Sequence, residues 1–316
     1  MDSLLVLITG ALIALMVSVN GGLTASFGVF PAAAIIHAVG TAFALALCFW
    51  RKKTPPVPRG LPAWLFLGGI IGVATTACNN FAFGRISTTS LVALGLLGQS
   101  AASLAADRYG LFGMPKRPAQ KAALPGIAFS FAGMALMLGG GDSLPAALLS
   151  FAAGVCIVLS RTVNARLAGR VGALRGSLIN HLTGLPVTLV LALALPGGGT
   201  GGAARPWDYL GGVLGVCVVM LLNVTVPRVA AWRLTALNFL GQLLTGAALD
   251  LAAGRGLGDA SFRGGAVIAF GMLLSFAMER AAQKRQEKEA ACRARLRDIE
   301  EAHRRELLEK YGGGAV

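Results

Sequence analysis

The chain has 316 residues, of which 55% are hydrophobic and 13% are charged. Soluble domains carry about 25% charged residues, so this composition excludes an ordinary soluble domain and indicates a membrane protein. The formal net charge of +14 would suggest nucleic-acid binding in a soluble protein. Here the basic residues lie between apolar runs instead of forming one patch, and the sequence predicts no nucleic-acid partner.

Apolar runs follow one another along the chain. A helix needs about 20 apolar residues to cross a bilayer, and lipid excludes open sheets. The segment after the last run is highly charged, and the i, i+4 spacing of Glu289 and Arg293 supports a helix there. The sequence therefore predicts an all-α integral membrane protein with about ten transmembrane helices, near residues 3–20, 31–50, 62–82, 87–106, 122–139, 145–162, 174–195, 209–226, 233–252 and 264–280.

The second half of the chain repeats the first. Asn20 and His37 recur as Asn164 and His181, at an offset of 144 residues (164−20 and 181−37). A period this long indicates duplication of a whole five-helix unit rather than a solenoid. We therefore divide the chain into a first repeat at 1–140, a second repeat at 141–280 and a charged cytoplasmic helical tail at 281–316. Further residues recur at offsets of 144 or 143, namely Pro62, Trp64, Gly68, Gly69, Gly72, Asn80, Gln99 and Asp107, matched by Pro206, Trp207, Gly211, Gly212, Gly215, Asn223, Gln242 and Asp250.

Basic residues predict the orientation of the two repeats. With the N-terminus in the cytoplasm, four Lys and Arg fall in external loops and fourteen in internal ones, so the positive-inside rule places both termini in the cytoplasm. Five helices per repeat is an odd number, so the second repeat must enter the membrane upside down, as in many secondary transporters. The residues assigned to internal loops are Arg51, Lys52, Lys53, Arg59, Arg108, Lys116, Arg117, Lys121, Arg161, Arg166, Arg170, Arg175, Arg228 and Arg233.

A resemblance to a known family rests on residues of the first repeat, namely Asn20, Gly21, His37, Gly40, Thr41, Pro62, Trp64, Gly98, Gln99 and the segment 107–113. These residues resemble the YdcZ-type branch of the drug/metabolite transporter (DMT) superfamily. Members are typically single five-helix units thought to pair in opposite orientations, so this chain resembles two such units fused. The second repeat departs from the pattern, since Thr41 becomes Leu185 and Gly21 becomes Ala165. The resemblance implies a multi-pass transporter of the cytoplasmic (inner) membrane, without naming a substrate.

Two glutamines are candidates for substrate binding. Gln99 and Gln242 lie about 12 residues into their helices, or roughly 18 Å, near the middle of a bilayer core about 30 Å thick. Small residues flank both, so a solute could approach. The alternative role is an interhelical hydrogen bond at a close crossing.

Four asparagines and two histidines complete the candidate binding set. The asparagines are expected to cap or line helix ends. His37 is expected two turns below the external face and His181 two turns above the cytoplasmic one. Imidazole titrates near neutral pH, which suits a proton relay, and a neutral interhelical hydrogen bond is the alternative. The four asparagines are Asn20, Asn80, Asn164 and Asn223.

Charged groups are scarce inside the predicted spans. Asp107 and Asp250 close helices 4 and 9, as gating or coupling groups or as interface carboxylates paired with a residue such as Arg108. No Glu occurs before Glu279, and no Asp falls near the middle of a span. Intramembrane charge normally marks ion coupling, and related small multidrug exporters depend on a membrane-embedded Glu. We therefore expect a largely neutral cavity and disfavour proton-driven export of organic cations. The five cysteines show no paired spacing, and the sequence predicts no metal site and no cofactor.

The sequence as a whole predicts a secondary transporter and no enzyme. It would move a small polar or amphipathic metabolite across the lipid bilayer by alternating access through a central amide-lined cavity, as a monomer or homodimer. Two alternatives stay open: a membrane scaffold that recruits a partner through its charged C-terminal helix, and a small-molecule or drug exporter with histidine-linked proton coupling. An intramembrane enzyme using His37 or His181 is the weakest, because no nucleophile, base and orienting carboxylate can be placed at one depth.

Overall fold

Every regular element in the described part of the chain is helical. The structure, a computed structural model, describes residues 2–51, 58–82, 85, 88–116, 124–137, 143–195, 197–252 and 259–311. Short 3₁₀ turns at Ala63–Phe66 and Pro206–Leu210 introduce α3 and α8. The α-helices of these residues are α1 (Asp2–Phe27), α2 (Val29–Trp50), α3 (Gly68–Ala82), α4 (Thr88–Tyr109), α5 (Leu124–Met137), α6 (Leu144–Val171), α7 (Ala173–Ala194), α8 (Gly211–Thr225), α9 (Ala231–Ala252) and α10 (Asp259–Tyr311).

The first helix of each repeat is longer than the sequence predicts. Both α1 and α6 continue well past residues 20 and 162, where their apolar runs were expected to end. One residue, Gly28 or Gly172, then separates each from the next helix. These glycines lie 144 residues apart (172−28) and have φ of 86° and 87°, a left-handed conformation that favours glycine. Arg166 and Arg170, expected in a loop, consequently belong to the end of α6.

Helix packing interleaves the two repeats. α1 packs on α8 and α9, while its counterpart α6 packs on α3 and α4. Exchanging the repeats (α1 with α6, α2 with α7, and so on) turns the first set of contacts into the second. α2 packs on α7 and α5 on α10, pairs that this exchange maps onto themselves. Each repeat is therefore completed by helices of the other.

Glycines permit the closest of these crossings. A side chain at Gly154 of α6 would meet the carbonyl oxygen of Gly95 and the backbone nitrogen of Gln99 in α4. A side chain at Gly10 of α1 would likewise meet the carbonyl of Asn238 in α9. Gly10 and Gly154 are equivalent positions (154−10=144), so both repeats use the same device. Small residues at transmembrane crossings let backbones approach each other closely.

Several helices suit a lipid environment. Among the described residues, five helical segments are long and apolar enough to cross a membrane: Asp2–Phe27, Val29–Trp50, Leu144–Val171, Ala173–Ala194 and Pro206–Thr225. The described residues therefore form an all-helical structure that is consistent with the predicted membrane fold.

The last helix is much longer than a bilayer crossing requires. α10 has 53 residues, or about 80 Å at 1.5 Å per residue, against a hydrocarbon core of about 30 Å. Its early part packs on α5. In its exposed later part, Glu289 lies 3.2 Å from Arg285 and 3.8 Å from Arg293. α10 therefore continues as one helix into the charged segment.

Candidate functional site

A cavity of about 310 Å³ lies between the two repeats. Its walls come from α1, α2 and α3 of the first repeat and from α6, α7 and α8 of the second. Five of the predicted binding residues line it, namely Asn20, His37, Asn164, His181 and Asn223. The structure therefore brings together in one space side chains that lie up to about 200 positions apart in the sequence.

The two histidines meet where α2 crosses α7. Their ring centroids are 5.5 Å apart. His37 Nδ1 donates to the carbonyl oxygen of His181 at 3.1 Å, and His181 Nδ1 donates to the carbonyl oxygen of Ser177 at 2.9 Å. Each histidine lies about two turns after the start of its own helix, as the sequence predicts, and the crossing of the two helices brings the rings together.

Glycines make room for this pair. A side chain at Gly40 would strike the ring of His181, and one at the equivalent Gly184 would strike the ring of His37. The contact is therefore reciprocal between the repeats. His181 packs on Gly40, one turn after His37, and His37 packs on Gly184, one turn after His181.

Two asparagines contact helix starts in the opposite repeat. The Oδ1 atom of Asn20 lies against Gly211, the first residue of α8, and Oδ1 of Asn164 lies against Gly68, the first residue of α3. Neither oxygen has a hydrogen-bond partner within the described residues. A helix start presents partial positive charge, which suits an amide oxygen. Asn164 Nδ2 donates to Oδ1 of Asn180 at 2.7 Å, which fixes its amide orientation.

One buried cation lines the same cavity. Arg161 of α6 is 5% exposed. Its Nη2 donates to the hydroxyl of Ser103 at 2.9 Å, to the hydroxyl of Thr235 at 2.6 Å and to the carbonyl of Ala231 at 3.3 Å. Arg161 was expected in an internal loop. That expectation is wrong because α6 continues to Val171, and the expectation of a largely neutral cavity fails with it.

The cavity has two unlike walls built by equivalent sets of helices. α3, α6 and α7 pack on one another, as do α1, α2 and α8, and exchanging the repeats converts one set into the other. We name them the polar trio (α3, α6, α7) and the apolar trio (α1, α2, α8), because the first has polar residues at cavity positions where the second has apolar ones. The matched pairs, polar residue first, are Ser160 and Met16, Asn180 and Ile36, Thr75 and Val218, and Thr76 and Val219.

Both repeats match the sequence profile of a family described as "Putative inner membrane exporter, YdcZ", over residues 2–136 and 145–277. The chain belongs to this family. The two matches begin 143 residues apart (145−2), in agreement with the internal repeat. No curated protein matches the chain. A solved structure described only as "Crystal structure of protein" has a TM-score of 0.66 at 16% identity, covering 89% of this chain and 97% of that chain. At this identity the likeness shows the fold alone, and it spans both repeats.

The two glutamines of this YdcZ-family chain lie elsewhere. Neither Gln99 nor Gln242 is among the residues that line the cavity. The backbone nitrogen of Gln99 lies at the α4–α6 crossing beside Gly154. Gln242 Nε2 donates at 3.3 Å to the carbonyl of Asn238, one turn earlier in its own helix. The small residues that flank both glutamines allow helices to pack closely there, so these segments serve helix packing.

Asp107 caps a helix. Its two carboxylate oxygens accept hydrogen bonds from the backbone N–H groups of Ala231 at 2.7 Å and Trp232 at 2.9 Å, at the start of α9. Asp107 also interacts electrostatically with Arg161. It does not line the cavity. The expected partner Arg108 is exposed. Asn80 and Asp250 lie on described helices, but their side chains are outside the described part of the chain.

Sequence reasoning missed Arg161 and Asn180. One signal pointed to Arg161: if Asn164 is inside the membrane like its counterpart Asn20, then Arg161, one turn earlier on the same helix, is inside it too. An ionisable residue within a span is a functional-site candidate by default. Asn180 gave no such signal, because its counterpart is Ile36 and a search for repeated residues passes over it.

Proposed function

We propose that the chain is a secondary transporter that moves a small polar or amphipathic metabolite by alternating access through the cavity between its repeats. The observation that carries this proposal is the reciprocal construction of that cavity. Asn20 and Asn164 contact opposite helix starts, and His37 and His181 lie on opposite glycines. Two walls built by equivalent sets of helices around one central site permit two related states, each open to one side of the membrane.

The proposed topology is a pair of inverted five-helix repeats, at 1–140 and 141–280, with both termini and the tail at 281–316 in the cytoplasm. Helix packing supports it, because self-matched pairs such as α2 with α7 require a two-fold axis that passes between them. Five helices in each repeat reverse the direction of the second. The axis therefore lies in the membrane plane, where it relates an outward-facing wall to an inward-facing one.

Cysteine labelling tests this topology. Ala25 near the end of α1 and Gly169 near the end of α6 are equivalent (169−25=144) and exposed. We would introduce Ala25→Cys or Gly169→Cys into a background in which the five native cysteines are replaced by serine. A membrane-impermeant maleimide added to intact cells should label Ala25→Cys only, and both sites after permeabilisation. Labelling of both sites, or neither, in intact cells would contradict inversion.

A cavity-filling variant tests transport. A Cβ at Gly72 would meet only the Ser160 hydroxyl, at 3.7 Å, so Gly72→Leu can fill the cavity without a backbone clash. Gly246→Leu is the matched control, since a Cβ there meets nothing within 4 Å and Gly246 does not line the cavity. We would expose proteoliposomes to a panel of polar and amphipathic metabolites and measure the enclosed compounds by mass spectrometry.

Wild type and Gly246→Leu should accumulate at least one compound faster than empty liposomes, and Gly72→Leu should not. If no compound enters, or if Gly72→Leu transports as fast as the control, the proposal is wrong.

Histidine-linked coupling is a second candidate, favoured by the contact between the His37 and His181 rings. Two protonated rings 5.5 Å apart would repel each other, which would disfavour the α2–α7 crossing. His37→Gln should then abolish accumulation driven by an imposed pH gradient but leave exchange at equal pH intact. An unchanged response to the gradient would exclude this form of coupling.

A further inference from the structure

The one charged residue among the described lining of the cavity belongs to its polar wall. Arg161 lies one turn before Asn164 on α6, beside Ser160. Its counterpart in the other repeat is Val17 (161−17=144), which is 59% exposed and does not line the cavity. The positive charge is therefore specific to the polar trio and is not part of the repeated framework.

Neutral groups hold this charge in place. The hydrogen bonds of Arg161 leave from Nη2 and end on the hydroxyls of Ser103 and Thr235 and the carbonyl of Ala231. They tether one edge of the guanidinium to α4 and α9. Among the described residues, Arg161 has no hydrogen bond from Nε or Nη1, so either nitrogen can donate to a carboxylate in the cavity. A hydrogen bond between charged groups is stronger than one between neutral groups.

The nearest acidic group is already engaged. Both oxygens of Asp107 accept backbone N–H groups at the start of α9, and Asp107 lies outside the cavity lining. Its charge partly offsets that of Arg161 without occupying the cavity. A buried charge is costly unless it is compensated, and a bound anion would supply further compensation from the cavity side.

The opposite wall has different chemistry. Met16, Ile36, Val218 and Val219 stand on the apolar trio where Ser160, Asn180, Thr75 and Thr76 stand on the polar trio. A solute that spans the cavity therefore contacts a cation and hydroxyl or amide groups at one end, and at the other the aliphatic side chains that stand among Asn20, His37 and Asn223.

We propose that the transported metabolite is a small amphipathic organic anion, whose carboxylate binds Arg161 and whose apolar body lies against the apolar trio. This inference rests on the proposed transport function and names the substrate class for the same cavity. It excludes the organic cations exported by relatives with a membrane-embedded Glu, because the fixed charge here has the opposite sign.

Matched pairs of carboxylates and amides test the inference. We would measure the affinity of purified wild type, in a neutral maltoside detergent at pH 7.5, for hexanoate against hexanamide and for 4-phenylbutyrate against 4-phenylbutyramide. Succinate serves as an anion without an apolar body. Each carboxylate is ionised at this pH, whereas its amide has nearly the same shape and no charge. Carboxylates should bind at least about tenfold more tightly than amides, as expected for a hydrogen bond to a charged group.

Four variants separate the two ends of the cavity. Arg161→Gln should remove the preference for carboxylates, and Arg161→Lys, which retains the charge and folding support, should keep part of it. Val218→Thr and Val219→Thr should each weaken the affinity for 4-phenylbutyrate by about fourfold, which is the effect of one lost methyl contact. They should leave the affinity for succinate unchanged. Unfolding temperatures of all variants would be measured alongside.

Equal affinity for carboxylates and amides, an unchanged preference in a folded Arg161→Gln protein, or absence of binding in both series would each overturn the inference. The transport proposal can stand when this inference fails. If wild-type proteoliposomes accumulate neutral metabolites, Gly72→Leu blocks them and no carboxylate is preferred, transport stands and the anionic substrate class is wrong.

Discussion

The polar and apolar trios share one ancestral plan but differ in what they present to the cavity. Positions that contact the opposite repeat have kept their residue types, as in Asn20 and Asn164 or His37 and His181. Other cavity positions have diverged, as in Met16 against Ser160, although the Ser160 hydroxyl also donates to the carbonyl of Gly68 in the first repeat. This difference teaches that the asparagine and histidine contacts across the pseudo-two-fold axis constrain both repeats together. Other wall positions can change in one repeat alone, so each wall can acquire its own chemistry.

Substitutions at equivalent helix contacts should have the same effect on stability in both repeats. The close crossings should give the largest effects. Gly10→Ala and Gly154→Ala each place a methyl group on a backbone carbonyl of the facing helix, which cannot move aside. Each should lower the free energy of unfolding by about 1–3 kcal/mol or more, the usual result of overpacking. Thermal unfolding of purified protein in detergent measures the loss.

Gly246→Ala is the control for these crossings. A Cβ at Gly246 meets nothing within 4 Å, and alanine has the higher helix propensity, so the change should be neutral or stabilising by up to about 1 kcal/mol. If Gly154→Ala is as mild as Gly246→Ala, the crossings are looser than the structure shows. If only one of the two crossings is sensitive, the repeats are not equivalent.

The helix cap at Asp107 should give the next largest effect. Asp107→Ala removes both acceptors from the first N–H groups of α9 and the negative charge beside Arg161, so it should cost at least about 1–2 kcal/mol, the usual effect of losing a capping residue. Asp107→Asn keeps one acceptor and should retain part of this stability. Arg108→Ala, at the exposed neighbour, serves as the control in the same unfolding assay. Equal stability of Asp107→Ala and Arg108→Ala would contradict the capping role.

Cavity residues that recur in both repeats could be predicted from the sequence. Asn20, Asn164, His37 and His181 recur at one offset, and all line the cavity. The length of α6 was not predictable from hydropathy, because its last turns carry arginines and a run of apolar residues ends before them. Arg161 was assigned to a loop because it is basic and lies near the end of the apolar run, whereas helix packing continues α6 to Val171 and buries it.

The two glutamines show a second limit. Gln99 and Gln242 recur, were predicted near mid-membrane depth and have small neighbours, yet they stand beside close crossings and not in the cavity. Depth can be read from one helix alone. The direction in which a side chain points depends on which helices pack around it, and that arrangement joins residues from both repeats.

The cavity walls should respond unequally at matched positions, with a smaller effect. Asn180→Leu removes the acceptor of Asn164 Nδ2, 2.7 Å away, whereas Ile36→Leu exchanges one aliphatic side chain for another. Interhelical hydrogen bonds in membranes contribute about 0.6 kcal/mol and at most about 1.7 kcal/mol. Asn180→Leu should therefore destabilise the protein by that amount and Ile36→Leu by less, as measured by unfolding. Equal losses would show that the two walls do not differ in hydrogen bonding.

Deleting the tail should have the smallest effect on stability and transport, because the tail belongs to neither repeat. The described tail side chains are largely exposed, and the ion pairs of Glu289 with Arg285 and Arg293 are of the surface type, which contribute about 0–1 kcal/mol. Deleting residues 281–316 should change the free energy of unfolding by less than about 1 kcal/mol and leave proteoliposome transport near the wild-type rate. The packing of α10 on α5 lies before the deletion and would be preserved.

If the deletion abolishes function in cells while transport in proteoliposomes survives, the tail recruits a partner, as the scaffold alternative requires. If it abolishes transport in proteoliposomes as well, the paired repeats alone are not the transporting unit.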